Sequence, residues 1–204
     1  DANGQAKLNV TNTTVETVTV AAKSSSNASD TGGNVDLTFT APPPGPMPST
    51  TKVAVNGANF AVDAGFPKTG YDGAKFQIAI KGDAANNANY TWSDNSDWVS
   101  VDSTGTVTFS GEGTSDEVTI AATPKNGGVT YEYKFQLNTW YKDPKVSVLP
   151  SNVATGCSAL GNGYAVPSYT KVTNAELHGN APERTATGGF FWNEWGGGGG
   201  AIWT

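Results

Sequence analysis

The chain has 204 residues, with 12 Lys and Arg against 18 Asp and Glu, for a net charge of −6 at pH 7. Only 15% of residues are charged, so the clustered cations that neutralise nucleic-acid phosphate or grip anionic lipid are missing, and both partners are excluded. No apolar run reaches the roughly 18 residues of a transmembrane helix, and no signal-peptide pattern opens the chain. Gly, Ser, Thr, Asn and Val dominate while Leu is scarce, a composition suited to short strands and turns.

Residues 1–4 read as a turn (Asp1-Ala-Asn-Gly4), and a chain that begins inside a turn is expected to be a cut piece of a longer one. Alternation follows at Leu8 and Val10, then Val18, Val20 and Ala22, then Val35, Leu37 and Phe39. Each set is apolar at every second position, the pattern of a strand with one buried face. A polar tip is expected over 24–33. So few strands do not close a sandwich of about seven, so residues 1–41 are expected to be the closing strands of a partial domain. Five prolines fall within 42–48. They favour polyproline II and forbid helix or central strand, which predicts a semi-rigid spacer.

Residues 49–141 are the most legible stretch. Apolar alternation recurs at Val53 and Val55, Phe60 and Val62, Phe76 to Ile80, Tyr90 and Trp92, Val99 and Val101, Val107 and Phe109, Val118 to Ala122, and Tyr131 to Leu137. Gly, Asp and Asn clusters separate these runs. About eight short strands at even spacing predict an antiparallel sandwich. Trp92, on an alternating strand, is the expected core indole, with Trp98 less firmly placed beside a turn. Asp94, Asp97 and Asp102 raise a calcium loop, but their spacing suits turns and caps better. No Gly/Ser-rich break follows Tyr141, so Trp140 and Tyr141 are expected in a packed seam with what comes next.

Residues 142–204 have a different character. Val146 and Val148 alternate as one strand. Pro167-Ser168 is a helix start, with Ser168 as cap, predicting a helix over 169–177 with Val172 and Ala175 on one face; Gly179 is placed to end it. Trp192, Trp195 and Trp203 fall within twelve residues, two of them expected in a core, and Gly196 to Gly200 are expected to lack fixed structure. Cys157 is the only cysteine and His178 the only histidine. No nucleophile setting surrounds them, which leaves Cys157 as a buried thiol or half of a disulfide. With no paired carboxylates, metal-ligand cluster or triad in a recognisable setting, we expect no enzyme and no cofactor.

The repeats and the tip together resemble a family. The segments around Leu8–Val10, 17–22 and 35–39 look like the end of a bacterial immunoglobulin-like repeat. Tyr90-Thr-Trp92, 98–109 and 118–124 look like a second repeat type. Cys157 through Tyr164-Ala-Val-Pro167-Ser168, then Arg184, Gly189, Trp192-Asn193-Glu194-Trp195-Gly196 and Trp203-Thr204, are similar to the C-type-lectin-like tip of the intimin/invasin adhesins of bacterial outer membranes. The resemblance implies a mainly β chain: tandem immunoglobulin-like β-sandwiches (1–41 in part, 49–141 whole, joined by 42–48), then a small α+β lectin-like domain over 142–204. It implies an upstream outer-membrane β-barrel, exposure on the bacterial surface, a monomer, and a disulfide from Cys157 to a cysteine outside this sequence. It implies binding of a host cell-surface or serum protein through the tip, the family's targets including integrins, a bacterially delivered receptor and antibody Fab regions.

On this reading Arg184, Trp192, Asn193, Glu194 and Trp195 are the expected binding residues, aromatic anchors with a polar rim. The alternative is a sugar-binding module, since Trp192-Asn193-Glu194 echoes the Trp-Asn-Asp of calcium-dependent lectins. The companion proline motif is absent (Ala181-Pro182-Glu183 is not one), which favours a protein target.

Overall fold

The structure is a computed structural model that describes residues 8–12, 14–23, 29, 31–143, 149–161, 163–176, 179–180 and 183–196. Strands β1 (Glu16–Ala22) and β2 (Gly33–Phe39) form an antiparallel hairpin in which Val18 faces Leu37 and Val20 faces Val35. Its other face is polar: Thr19 Oγ1 donates to Asp36 Oδ1 at 2.6 Å. Every residue of the pair is exposed or half-buried, as expected of strands whose apolar face has no second layer.

The sandwich is built from β3 (Gly45–Pro46), β4 (Lys52–Val55), β5 (Ala58–Ala61), β6 (Thr69–Tyr71), β7 (Lys75–Ala79), β8 (Tyr90–Asp94), β9 (Val99–Val101), β10 (Thr106–Phe109), β11 (Val118–Pro124), β12 (Tyr131–Phe135) and β13 (Thr139–Tyr141). One sheet runs β5-β4-β7-β10-β9 and the other β3-β12-β11-β8; β13 and β6 pair in parallel at one end. The alternation read from the sequence is the packing pattern. Val53, Val55, Phe76, Ile78, Val107 and Phe109 from the first sheet meet Val118, Ile120, Ala122, Tyr133 and Phe135 from the second in one buried core. Phe109 stacks on Phe135 at 5.7 Å and stands edge-on to Phe76 at 6.1 Å, geometries that add to simple burial.

Three expectations change. Trp98, not Trp92, is the core indole: it is 8% exposed and lies edge-on to Phe109 at 5.0 Å. Trp92 is half-buried, its Nε1 reaching the Asn87 carbonyl at 3.4 Å. Alternation identified a strand face but not where the sandwich ends, and Trp92 lies beside the loop that closes it. The Pro-rich stretch is not a free spacer throughout. Gly45–Pro46 pairs in parallel with Tyr131 and Glu132, and Met47 is 5% exposed; proline is tolerated there because the position is a sheet edge. The helix predicted over 169–177 is one turn, because Thr173 turns extended and bonds elsewhere.

Loops are held by their own side chains. Asp102 Oδ1 accepts from Thr104 N, Thr104 Oγ1 and Thr106 N, and these bonds hold its carboxyl below the ordinary range. Asp94 Oδ1 accepts from Ser96 N at 3.3 Å. The turn roles expected of Asp94 and Asp102 are thus filled, and no group of three or more Asp, Glu, His or Cys able to hold a metal ion occurs among the described residues. Buried Asn87 accepts from Ile80 N and donates to the Ile78 and Thr104 carbonyls.

Beyond β13, the described residues 149–196 contain no strand. They hold a 3-10 turn at Pro150–Asn152 and the short helices α1 (Val153–Ser158), α2 (Tyr169–Val172) and α3 (Phe191–Trp195). The expected strand at Val146 and Val148 lies outside the described residues, as do Leu177, His178, Gly197 to Gly200 and Trp203. Trp98→Ala is expected to cost about 3–5 kcal/mol in urea unfolding, and Trp92→Ala less than half of that.

Candidate functional site

The residues singled out in the sequence do come together, but they point inward. Helix α3 lies across β6 and the β4–β5 turn, at the end of the sandwich where β6 and β13 pair. Trp195 is 0% exposed, its ring against Phe66 at 4.9 Å, Tyr71 at 5.4 Å and Phe109 at 5.9 Å. Its Nε1 donates to Thr69 Oγ1 at 3.1 Å. Phe191 packs on Tyr141 at 4.7 Å and Tyr71 at 5.4 Å. Tyr141 Oη donates to the Lys171 carbonyl at 2.7 Å, so this residue stands in the seam, as its sequence position suggests. Trp140 turns instead to Trp98, at 5.9 Å.

Glu194 is also 0% exposed. Oε1 accepts from Lys68 N at 2.9 Å; Oε2 accepts from Thr69 N at 2.9 Å and Thr69 Oγ1 at 2.6 Å. The ion pairs among the described residues involve other carboxylates. Burial pushes the Glu194 carboxyl up to about 7, against the pull of these three donors and of the Lys68 charge, because a low-dielectric site disfavours the charged form.

Arg184 works on the same helix through backbone carbonyls. Nε donates to Asn193 O at 3.2 Å, Nη2 to Glu194 O at 3.0 Å and Val55 O at 2.9 Å, and Nη1 to Asn56 O at 2.8 Å. It therefore ties the free carbonyls at the end of α3 to the β4–β5 turn, with a cation at a helix C-terminus where the backbone dipoles favour one. Asn56 returns the contact, Nδ2 donating to Trp195 O at 2.8 Å. Asn193 faces the rest of the segment: Nδ2 donates to Asn174 Oδ1 at 2.5 Å and Glu183 O at 2.9 Å, and Oδ1 accepts from Thr173 Oγ1 at 3.1 Å. Gly196 ends α3 in the left-handed conformation at φ 72°. A Cβ there would collide with the Arg184 guanidinium.

Arg184, Asn193, Glu194 and Trp195 are thus a clamp, with half-buried Trp192 at its edge. A clamp of this kind offers a solvent-borne partner little: both Glu194 oxygens and both ends of the Asn193 amide are already satisfied by protein groups. Of the five expected binding residues, Asn193, Glu194 and Trp195 are therefore turned into the junction, while Arg184 and Trp192 are half-buried. Sequence reasoning missed the sandwich half of the clamp: Lys68, Thr69 and Asn56. Asn56-Gly57 is legible as a hairpin turn, but nothing local ties it to a residue 128 positions away.

A second, exposed tether lies apart from the clamp. Tyr164 Oη donates to Glu112 Oε1 at 2.7 Å, and Lys142 Nζ meets Glu112 Oε2 at 3.1 Å while lying 5.3 Å from the Tyr164 ring centre. Burial, then the Glu112 contact, pushes Tyr164 up to about 12. Cys157 is half-buried in α1 with a free thiol.

An antiparallel sandwich with a helical segment clamped to one end defines an immunoglobulin-like module bearing a cap. Residues 51–135 match the family model for invasin, domain 4. The chain is 32% identical over 147 residues to the inverse autotransporter adhesin YeeJ of Escherichia coli (strain K12), covering 71% of this chain and 6% of that protein. It is 31% identical over 153 residues to invasin of Yersinia enterocolitica, covering 74% of this chain and 17% of that protein. The crystal structure of invasin, a bacterial integrin-binding protein, superposes with a TM-score of 0.62 at 32% identity, over 80% of this chain and 31% of that one. The chain is thus similar to invasin-type bacterial adhesins over most of its length, and spans less than a fifth of the length of these two sequence relatives.

Gly196→Ala is expected to lose about 1–3 kcal/mol from left-handed strain and displacement of Arg184. The check is urea unfolding, with faster proteolytic cleavage between 142 and 196 as a second readout.

Proposed function

We propose that this chain is a surface-displayed part of a bacterial adhesin, in which the sandwich holds the 142–204 cap away from the cell and the cap meets a host protein. The observation that carries the reading is the clamp. Buried groups from both parts make it, so a pull on the cap is transmitted into sheet strands rather than into a loose linker. The likeness to invasin and YeeJ supports an adhesive role, and the cap's resemblance to lectin-like tips supports a protein ligand. The upstream β-barrel anchor, the disulfide from Cys157 and a monomeric state belong to the same proposal. With Arg184 and residues 193–195 committed to the clamp, the contact face of this proposal includes Val166 and Tyr169, which are exposed. The proposal takes a host cell-surface protein, an integrin being what invasin binds, and uses no cofactor.

The test is binding of the purified chain to cultured mammalian cells, read by flow cytometry. Prior trypsin treatment of the cells is expected to abolish binding, with glycosidase treatment and calcium chelation leaving it intact. Loss on glycosidase and chelator treatment, with trypsin harmless, would overturn it in favour of glycan recognition.

A further inference from the structure

The clamp contains a titratable group whose setting does more than hold. Glu194 is a carboxylate at the junction of two parts of the chain, sealed from water, bonded only to neutral donors from Thr69 of β6 and from Lys68 just before it. The charged and titratable groups around it come from every packed element. Arg184, from the cap, spends its guanidinium on four carbonyls. Lys68, before β6, offers its backbone N–H and a partial electrostatic offset. Tyr71 on β6, Tyr133 on β12 and Tyr141 on β13 are all raised by burial, the last to about 12, and the Glu194 charge adds to the shift at Tyr133 and Tyr141. None of these tyrosines changes charge near neutrality. Glu194 is the one group of this set able to do so.

We propose that the Glu194 junction is a pH-responsive latch: it takes up a proton as the medium turns acidic, and the cap is held more tightly in acid than above neutrality. The proton has a seat. Thr69 Oγ1 stands 2.6 Å from Oε2, and a hydroxyl rotates to accept as readily as it donates. Protonation removes the cost of an uncompensated charge while keeping both backbone donors within reach.

The direction follows from linkage. The folded value, about 7, lies above the value of 4.5 for a free Glu side chain. Between those two pH values the docked state binds more protons than the open one, so docking weakens as pH rises through that window and is flat above it. The effect requires no ligand and stands apart from the adhesive reading.

The test is a carbon-13 NMR titration of the Glu194 carboxyl in the full chain, with amide hydrogen exchange of residues 191–196 at pH 5.5 and 8.5, corrected for intrinsic rate. A titration midpoint near 7 is expected, with protection of these amides falling roughly tenfold or more between the two pH values. In Glu194→Gln the protection is expected to be independent of pH, whatever its level. A midpoint at or under 4.5, or equal loss of protection in Glu194→Gln, would overturn the proposal. The carboxyl titration on the unmodified chain decides the matter even where the variant folds poorly.

Discussion

The arrangement of the whole C-terminal part depends on one carboxylate. Glu194 caps the two backbone N–H groups at the start of β6, and these belong to Lys68 and Thr69. The Thr69 donor is buried and the Lys68 donor part-buried, and an unpaired buried N–H costs on the order of 1–3 kcal/mol. The sandwich therefore needs an acceptor at this position, and the cap needs donors for its buried charge. Each part is incomplete without the other. Trp195 fills the adjoining apolar space, and Arg184 closes the helix end over the β4–β5 turn.

This mutual dependence explains why the junction carries no Gly/Ser-rich hinge. The chain leaves the sandwich through β13, whose Tyr141 already touches the cap through both ring and hydroxyl. The exposed Glu112–Tyr164–Lys142 cluster adds a second point of contact. Such exposed pairs contribute about 0–1 kcal/mol each, so orientation is the better description of their effect. The buried clamp supplies most of the holding. Energy is thereby concentrated where water cannot compete for the hydrogen bonds.

Much of the sandwich was legible because its physics is local. Val53, Val55, Phe76, Ile78, Val107, Phe109, Val118 and Ile120 face inward as period-two alternation requires. Met47 and Trp98 were harder, since each is buried by elements distant in sequence rather than by its own strand pattern. The C-terminal segment was legible only in composition. Its aromatics, Arg184 and Glu194 read as an interface because a five-residue helix, Phe191–Trp195, is too short for periodicity to assign an inner face. What buries them is Thr69 and its neighbours, 125 residues away for the Glu194–Thr69 bond, and no local rule connects the two. The same residue types suit a binding hot spot and a packed junction. Only the fold separates those roles.

The most direct measurement of the central claim is the exchange protection of the Lys68 and Thr69 amides by NMR, in the intact chain and in Glu194→Ala. The account predicts slow exchange of both in the intact chain and selective acceleration of these two in the variant, with core amides such as Ile78 unchanged. Equal exchange of the Lys68 and Thr69 amides in the two proteins would contradict it, since the carboxylate would then not be what holds the cap to the sandwich.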